Sequence, residues 1–162
     1  MKKSADFSAD RVYRYALYRV WDEALPLAMF VGLNPSTADE VEDDRTICRC
    51  INFSKSWGYG GLIMANLFAY RSKDPSKLNS APNNDPIGPE NNDWIIKLQS
   101  RCKLVLIAWG TNGALNERNK AVLKLLDSPY CLGITKHGHP RHPLYVRGEI
   151  KPIEFGEKYQ EI

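Results

Sequence analysis

Apolar and polar positions along the chain predict strands that alternate with helices. Four short apolar runs stop at glycine or polar residues, and they cover 27–34, 61–68, 103–110 and 130–135. Continuous apolar runs of this length are typical of strands buried on both faces of a parallel sheet. Three helical patterns connect them, over about 45–57, 90–100 and 113–127. Strands joined by helical crossovers predict a parallel sheet with helices on both faces.

The segment before the first apolar run predicts one further strand. Within residues 11–21, Tyr13, Tyr15 and Leu17 stand at even spacing, which is typical of a strand with one inward face. We expect this strand to form an antiparallel hairpin with the strand over 27–34.

Local signals define the remaining segments. Asp44 stands directly before the first helical pattern and is a typical N-cap residue. Residues 71–89 are rich in proline and asparagine, which predicts a loop. The end of the chain predicts an irregular stretch and then a short helix over 152–160.

The fold class that follows is α/β. We expect a three-layer sandwich with a central, mainly parallel four-stranded sheet plus an N-terminal antiparallel strand. The 162 residues, of which 43% are hydrophobic, fit a single domain over 1–162. The apolar runs are well short of the ~20 residues that span a bilayer. No apolar stretch follows the basic N-terminus, so we expect a cytoplasmic protein with no membrane partner.

Charge changes this picture only locally. The net charge of +3 is too small to indicate a nucleic-acid-binding protein by itself. Five acidic residues nevertheless fall within 39–44, and all three histidines fall within 137–142 beside basic residues. The four cysteines lack the paired spacing of a zinc site, so we expect free thiols, no metal and no cofactor.

Polar or otherwise unusual residues stand at the end of each apolar run. In open parallel sheets the ligand crevice lies at the carboxyl ends of the strands, so these residues are expected to converge. They are Asn34, Pro35, Ser36 and Thr37 after the first run, Asn66 and Arg71 at the second, Trp109, Gly110 and Asn112 at the third, and His139, Arg141 and His142 after the fourth.

Each of these residues also has a structural interpretation. An Asn-Pro pair after a strand is a common turn, and Trp109 is more often a core residue than a platform for a base. The acidic residues of 39–44 fit a solvated loop and a helix N-cap more often than a metal site. Asn66 differs, because an unsatisfied amide inside an apolar strand costs roughly 1–3 kcal/mol.

Several segments together resemble a bacterial and phage family of unassigned function, over nearly the whole chain. They are Gly-Leu-Asn-Pro-Ser-Thr-Ala-Asp (32–39), the following Asp44 and Thr46, Asn-Leu-Phe-Ala-Tyr-Arg-Ser (66–72), Ala-Trp-Gly (108–110) and Pro-Arg-His-Pro-Leu-Tyr (140–145). That family is in turn similar, more distantly, to the uracil-DNA glycosylase superfamily.

The resemblance to this superfamily implies a central four-stranded parallel sheet and roles for three residues. Asn34, in a segment similar to the Gly-Ile-Asn-Pro motif of the mismatch-specific branch, would position the water that attacks the sugar C1′. Asn66 would read the edge of the base. His142, in a segment similar to a His-Pro-Ser-Pro-Leu motif, would stabilise the departing base, with His139-Pro140 as an alternative alignment.

Three functions remain open from the sequence. The first is a base-excising enzyme acting on DNA or a modified nucleotide, with a base that leaves its stack to enter a pocket. The second is a non-catalytic nucleic-acid or nucleotide binding module of the same fold. It is favoured by position 34, which holds an asparagine where the most active branch of the superfamily has an activating aspartate. The third is a metal-dependent phosphohydrolase that uses Asp39, Asp43 and Asp44. The sequence does not determine the oligomeric state.

The predicted site combines these residues. Asn34 and His142 are the candidate catalytic residues. The candidate substrate-binding residues are Pro35, Ser36, Thr37, Asp39, Asp44, Thr46, Asn66, Arg71, Trp109, Gly110, Asn112, His139 and Arg141.

Overall fold

The computed structural model describes residues 1–156, and a seven-stranded sheet runs through the molecule. Its strands are β1 (Lys2–Phe7), β2 (Arg14–Val20), β3 (Leu27–Gly32), β4 (Gly61–Asn66), β5 (Leu104–Ile107), β6 (Tyr130–Cys131) and β7 (Ile153–Glu154). They lie in the order β1-β2-β4-β3-β5-β6-β7.

The middle of the sheet is parallel, as the apolar runs predict. β4, β3, β5 and β6 are neighbours in that order, and each adjacent pair is parallel. β1 and β2 extend the sheet beyond β4 with antiparallel pairing, and β7 does so beyond β6. The sheet therefore has seven strands, where the sequence predicts four central strands and one antiparallel strand.

The expected hairpin between β2 and β3 is wrong, because β2 pairs with β1 and β4 instead. The cause lies at Gly60, directly before β4. Its carbonyl accepts the N–H groups of Trp21 and Asp22, at 2.9 and 3.0 Å, and its own N–H donates to the carbonyl of Pro26 at 2.9 Å. A Cβ at Gly60 would lie 1.9 Å from the carbonyl oxygen of Asp22, so only glycine fits. The start of β4 is thus held between the end of β2 and the start of β3.

Helices cover both faces of the sheet. They are α1 (Arg45–Ser56), α2 (Asn91–Gln99) and α3 (Arg118–Leu123). Phe53 of α1 packs in one core with Phe30 of β3. Ile95 of α2 and Val122 of α3 pack in a second core with Val31, the next residue of β3. The result is three layers, with an α1 face and an α2–α3 face. Within residues 1–156, no helix has the length and apolar character needed to cross a bilayer.

The start of α1 follows the sequence prediction. Asp44 Oδ1 accepts the N–H of Ile47 at 2.9 Å, which satisfies one of the free donors of the first turn. The segment over 71–89 is a loop that contains two short 3₁₀ turns. Of the run over 130–135, only β6 is strand.

Two predicted helices differ from the structure. The helix expected over 113–127 is a 3₁₀ segment (Thr111–Glu117) followed by the short α3, because Asn116 and Glu117 adopt left-handed backbone angles, with φ of 55° and 54°. The prediction of a helix over 152–160 is wrong at Ile153–Glu154, because these residues form β7 and pair with β6. The remainder beyond residue 156 lies outside the described residues.

A β-bulge in β2 decides which of its side chains face α1. Asp6 of β1 pairs with Ala16, and the next residue, Phe7, pairs with Arg14. Tyr15 is therefore an extra residue in β2 that has no partner residue in β1. Tyr15 stacks on Trp94 of α2, with ring centroids 6.0 Å apart, and Ala16 packs in the core of the same face. Arg14 points to the α1 face, where its Nη1 donates to the carbonyl of Ala38 at 2.9 Å. Bulges commonly redirect a side chain in this way.

Candidate functional site

A cavity lies at the carboxyl ends of the parallel strands, on the α1 face. Its volume of about 370 Å³ is within the range of small-molecule sites. Gly32 and Asn66 end β3 and β4, Ala108 follows β5, and all three border the cavity. Asp44 at the start of α1 and His142 after β6 border it as well. This is the edge at which open parallel sheets bind their ligands.

Most of the predicted site residues border this cavity. They are Asn34, Pro35, Ser36, Asp44, Thr46, Asn66, Trp109, Gly110, Asn112, Arg141 and His142. Four predicted residues lie elsewhere. Thr37 and Arg71 line a shallow cleft beside the cavity. Asp39 lies in the loop before α1, and His139 lies in a turn where its N–H donates to Thr135 Oγ1 at 3.1 Å.

Asn66 presents a buried carboxamide to the cavity. Its side chain is only 2% exposed, and Nδ2 has no hydrogen-bond partner among the described residues. The adjacent Gly32 makes room for it, because a Cβ there would lie 2.8 Å from Asn66 Oδ1. The Asn91 amide donates to the carbonyls of Asn66 and Leu67, both at 3.0 Å, which fixes the end of β4. A buried amide without a partner is costly, so this donor is available for a ligand or a water molecule.

Asn34 has a fixed orientation. Its Nδ2 donates to the carbonyls of Pro35 and Ser72, at 3.1 and 2.9 Å. Both hydrogens of the amide are therefore used by the backbone. The side-chain oxygen is the atom that remains able to accept a hydrogen bond from a molecule in the cavity.

His142 is held as one tautomer. Its Nδ1 accepts the N–H of Leu144 at 3.2 Å, so in the neutral ring the proton is on Nε2. Burial lowers the pKa of His142 from its usual value, while the nearby charge of Asp44 acts in the opposite direction. The imidazole is therefore neutral at pH 7 and offers one N–H donor. Its ring centroid lies 5.4 Å from that of Tyr145.

Trp109 borders the cavity, but its indole belongs to the core of the α2–α3 face. The side chain is 2% exposed, and it packs so closely on Gly113 that a Cβ there would lie 2.1 Å from the ring. The aromatic ring available at the cavity is that of Tyr145, which is 77% exposed. The ring on which a planar ligand in the cavity can stack is therefore that of Tyr145 rather than that of Trp109.

The acidic loop (39–44) is mostly occupied by protein partners. Asp39 Oδ1 accepts the N–H groups of Val41 and Glu42, both at 2.8 Å. Asp43 pairs with the buried Arg19 at 2.7 Å and with Lys3 at 3.1 Å. Within residues 1–156, no group of three or more His, Cys, Asp and Glu side chains is arranged to hold a metal ion. This arrangement does not favour the phosphohydrolase hypothesis.

Sequence analysis does not identify several residues that border the cavity. They are Arg14, Gly32, Leu33, Ile47, Met64, Ser72, Lys73, Pro75, Ala108, Thr111, Thr135 and Tyr145. Tyr145 and Ser72 stand inside the motifs quoted above, so their positions were the available signal. Arg14 gave no such signal, because its direction depends on the bulge at Tyr15.

The charges around the cavity are mainly positive. Arg14, Lys73 and Arg141 border it, together with a single carboxylate from Asp44. Burial is the main factor that lowers the pKa of Arg14, to about 10, so this guanidinium remains charged at pH 7. With His142 neutral, the described lining favours an anionic ligand.

Comparison with known proteins identifies the family to which the chain belongs. No curated protein and no solved structure matches the chain at a significant level. A family model matches residues 14–144, a segment that starts at Arg14 and ends directly before Tyr145 and so includes the other residues of the cavity. Because this match covers more than half of the chain, the chain belongs to the family described as protein of unknown function DUF1643.

Proposed function

We propose that the chain is a nucleobase-excising enzyme of the N-glycosylase type, acting on DNA or on a modified nucleotide. The observation that carries this proposal is that Asn34, Asn66 and His142 border one cavity at the carboxyl ends of the parallel strands. In the reaction, water forms a bond to the sugar C1′, the bond from C1′ to the base nitrogen breaks, and one water proton passes to the departing base.

Recognition of the base is assigned to Asn66. A carboxamide offers a donor and an acceptor side by side, which matches the hydrogen-bonding edge of a nucleobase. The donor Nδ2 is buried and has no partner among the described residues. A site with buried polar groups rejects molecules that leave them unpaired, so this amide favours one base over others. The base must be extruded from its stack to reach the cavity.

Stabilisation of the leaving base is assigned to His142. Negative charge develops on the base as the glycosidic bond breaks. The Leu144 N–H holds Nδ1 as an acceptor, so the Nε2–H is the donor available to that charge. A donor with a fixed direction needs no reorganisation during the reaction, which is the condition for effective electrostatic stabilisation.

The attacking water is assigned to Asn34 and Asp44. Asn34 Oδ1 accepts a hydrogen bond from the water, and the amide is held in that orientation by two backbone carbonyls. The sugar acquires positive charge in an oxocarbenium-like transition state. Asp44 supplies the single carboxylate among the described cavity residues, and its charge favours that state.

One observation favours a second candidate, a non-catalytic binding module for a nucleotide or nucleic acid. Asp44 Oδ1 is occupied by the N–H of Ile47, as the cap of α1. An asparagine at position 34 cannot act as a base. The described lining thus contains no carboxylate devoted to activating water, and a protein of this design could retain recognition without turnover.

The test is base release from oligonucleotides. Wild-type protein is incubated with single- and double-stranded DNA that contains uracil, mismatched, alkylated or oxidised bases, and abasic sites are detected by alkaline cleavage. Asn34→Ala and His142→Ala are each expected to reduce the single-turnover rate by about 10²–10³-fold. His139→Ala is the matched control, because this histidine lies in the same segment but does not border the cavity.

The possible results separate the candidates. Full activity in both Asn34→Ala and His142→Ala contradicts the assigned mechanism. Thermal stabilisation by an oligonucleotide, lost in Asn66→Ala and accompanied by no base release from any substrate, identifies the binding module instead.

A further inference from the structure

Arg14 is a buried cation without an ion pair. It is 2% exposed, and its Nη1 donates to the carbonyl of Ala38. Among the described residues, its Nε has no hydrogen-bond partner and no carboxylate lies within ion-pair distance of the guanidinium. A buried charge without a partner is strongly unfavourable. The position of Arg14 at the cavity makes a ligand the natural source of the missing partner.

A second arginine, Arg71, lies on the adjacent segment, where the Arg14 N–H donates to the Ala69 carbonyl at 2.9 Å and the Arg71 N–H donates to the Val12 carbonyl at 3.1 Å. The charges of the two arginines repel each other enough to contribute to the lowered pKa of Arg14. Arg71 lies over the ring of Phe7 at 4.7 Å, and its Nη1 donates to the carbonyl of Arg11 at 3.3 Å. Arg11 lies over the same ring but is paired with Glu40 at 3.0 Å. Arg71 has no ion pair among the described residues, so neither of these two guanidinium groups has a carboxylate within ion-pair distance.

Arg14 and Arg71 lie on either side of a junction, the place where the cavity meets a shallow cleft beside it. Arg14 borders the cavity, and Arg71 lines the shallow cleft beside it. The two spaces share Ser36, Ser72 and Lys73. The Ser72 hydroxyl donates to the carbonyl of Asp74, whereas no hydrogen bond of the Ser36 hydroxyl is formed within the described residues. The junction therefore contains three cations and a free hydroxyl.

The nearest carboxylates do not neutralise this group. Asp39 and Asp44 attract Arg14 electrostatically and Asp39 also attracts Arg71, but neither carboxylate is hydrogen-bonded to either arginine. Asp39 is engaged by two backbone N–H groups of its own loop. Asp44 is engaged by the N–H of Ile47. The positive charge of the junction thus remains available to a ligand.

We propose that a phosphate group binds at this junction, between Arg14, Lys73 and Arg71. A phosphate has several acceptor oxygens and accepts paired hydrogen bonds from guanidinium groups, which a single carboxylate or chloride does not match as well. The inference rests on the proposed function and deepens it, because it makes the ligand a nucleotide rather than a free base or a nucleoside. The phosphate belongs either to a mononucleotide or to the backbone of a strand.

The experiment uses probes that carry no base, so that its result does not depend on base recognition. Binding to the full chain is measured by calorimetry at constant ionic strength. The probes are inorganic phosphate, 2-deoxyribose, 2-deoxyribose 5-phosphate, and a short single-stranded oligonucleotide with a stable abasic analogue. We expect 2-deoxyribose 5-phosphate to bind and 2-deoxyribose to show no binding.

Substitutions locate the site. Arg14→Gln and Arg71→Gln are each expected to weaken the binding of 2-deoxyribose 5-phosphate by about tenfold or more, since each removes charged hydrogen bonds. Arg118→Gln is the matched control for the first, because Arg118 is also buried but does not border the cavity. Arg101→Gln is the control for the second, because Arg101 also lies over an aromatic ring, that of Tyr18, at 5.3 Å.

The outcomes are separable from those of the proposed function. Tighter binding of the abasic oligonucleotide than of 2-deoxyribose 5-phosphate identifies a strand as the source of the phosphate, and equal binding identifies a mononucleotide. Unchanged affinity in both arginine variants, or no binding of any phosphate probe by the wild type, overturns the inference. If Arg14→Gln does not fold, Arg71→Gln with rescue by Arg71→Lys decides. Phosphate binding without base release leaves this inference standing while the excision proposal fails.

Discussion

Two buried arginines of β2 differ in their hydrogen-bond and ion-pair partners. Arg19 and Arg14 are both buried, at 0% and 2% exposure, and both reach towards the segment before α1. Arg19 donates to the carboxylate of Asp43 and to backbone carbonyls that include those of Asp39 and Glu42. The Arg14 guanidinium makes a single hydrogen bond within residues 1–156, to the carbonyl of Ala38. One guanidinium completes the fold, and the other is left for a ligand.

The acidic loop and the cavity show that the region with the most charge need not be the one that binds a ligand. The acidic loop carries the highest concentration of charge in the chain, yet its carboxylates serve mainly as partners for Arg19, Arg11 and backbone N–H groups. The cavity has fewer charges, but Arg14 and Asn66 have polar atoms without partners among the described residues. Other buried atoms without partners, such as those of Tyr15 and Asn119, lie away from the cavity, so an unpartnered atom indicates the site only where it also borders the cavity.

The largest expected effect distinguishes the two arginines by stability. Arg19→Met leaves the Asp43 carboxylate with Lys3 as its one ion-pair partner among the described residues and removes the donor to the Asp39 and Glu42 carbonyls, and we expect the free energy of unfolding to fall by about 3 kcal/mol. Arg14→Met removes one hydrogen bond together with a buried charge that has no ion pair, so it is expected to change the free energy of unfolding by about 1 kcal/mol or less. Urea unfolding monitored by circular dichroism measures both. Equal losses would contradict the assignment of a structural role to Arg19 alone.

The next largest effect is expected from a substitution that lowers activity without lowering the free energy of unfolding. Asn66→Ala is expected to reduce base release by about 10²-fold. Its free energy of unfolding should be unchanged or higher, because the substitution removes a buried amide that has no partner. Single-turnover kinetics and urea unfolding are measured on the same sample. Asn79→Ala is the control, because Asn79 is exposed and does not border the cavity. A large loss of stability with unchanged activity would make Asn66 a structural residue.

A smaller effect is expected from pH. His142 has a lowered pKa in the folded protein, so the unfolded chain binds its proton at a higher pH than the folded chain does. Stability linked to this group is complete above the unfolded pKa of about 6.5 and decreases as the pH falls towards the folded pKa. His142→Gln should remove this part of the pH dependence. Urea unfolding at a series of pH values tests it, and identical profiles for the two proteins would refute it.

The smallest effect is expected at the rim of the acidic loop. Glu40 pairs with Arg11, and their side chains are 42% and 49% exposed. Glu40→Gln is expected to change the free energy of unfolding by less than about 1 kcal/mol, because exposed ion pairs contribute little. The difference should disappear in high salt. A loss as large as that of Arg19→Met would show that the whole loop, rather than its buried pair, supports the fold.

The parallel centre of the sheet could be predicted from the sequence, and the edges could not. β3 and β4 are buried on both faces, so their continuous apolar runs are clear signals. β1 has mostly polar side chains at an exposed edge, and β7 has two residues, so neither leaves a pattern. The place of β2 depends on backbone hydrogen bonds of Gly60, which no side-chain pattern reports.

The site could be predicted in part for a similar reason. Asn34 and Asn66 stand at the ends of central strands, and position along a strand is visible in the sequence. The face to which a side chain points is less visible. The Trp109 indole lies on the α2–α3 face, away from the α1 face where the cavity opens. The direction of Arg14 depends on one extra residue in β2.

That extra residue, Tyr15, lets β2 differ in length without moving the arginine. If a relative lacks one residue at this point, regular alternation resumes from Ala16, and the residue that corresponds to Arg14 still faces the cavity. In an alignment with such a relative, the one-residue gap falls at Tyr15 and the two arginines are matched beside it. An alignment made without this gap would place a tyrosine opposite the arginine and would hide a shared cation.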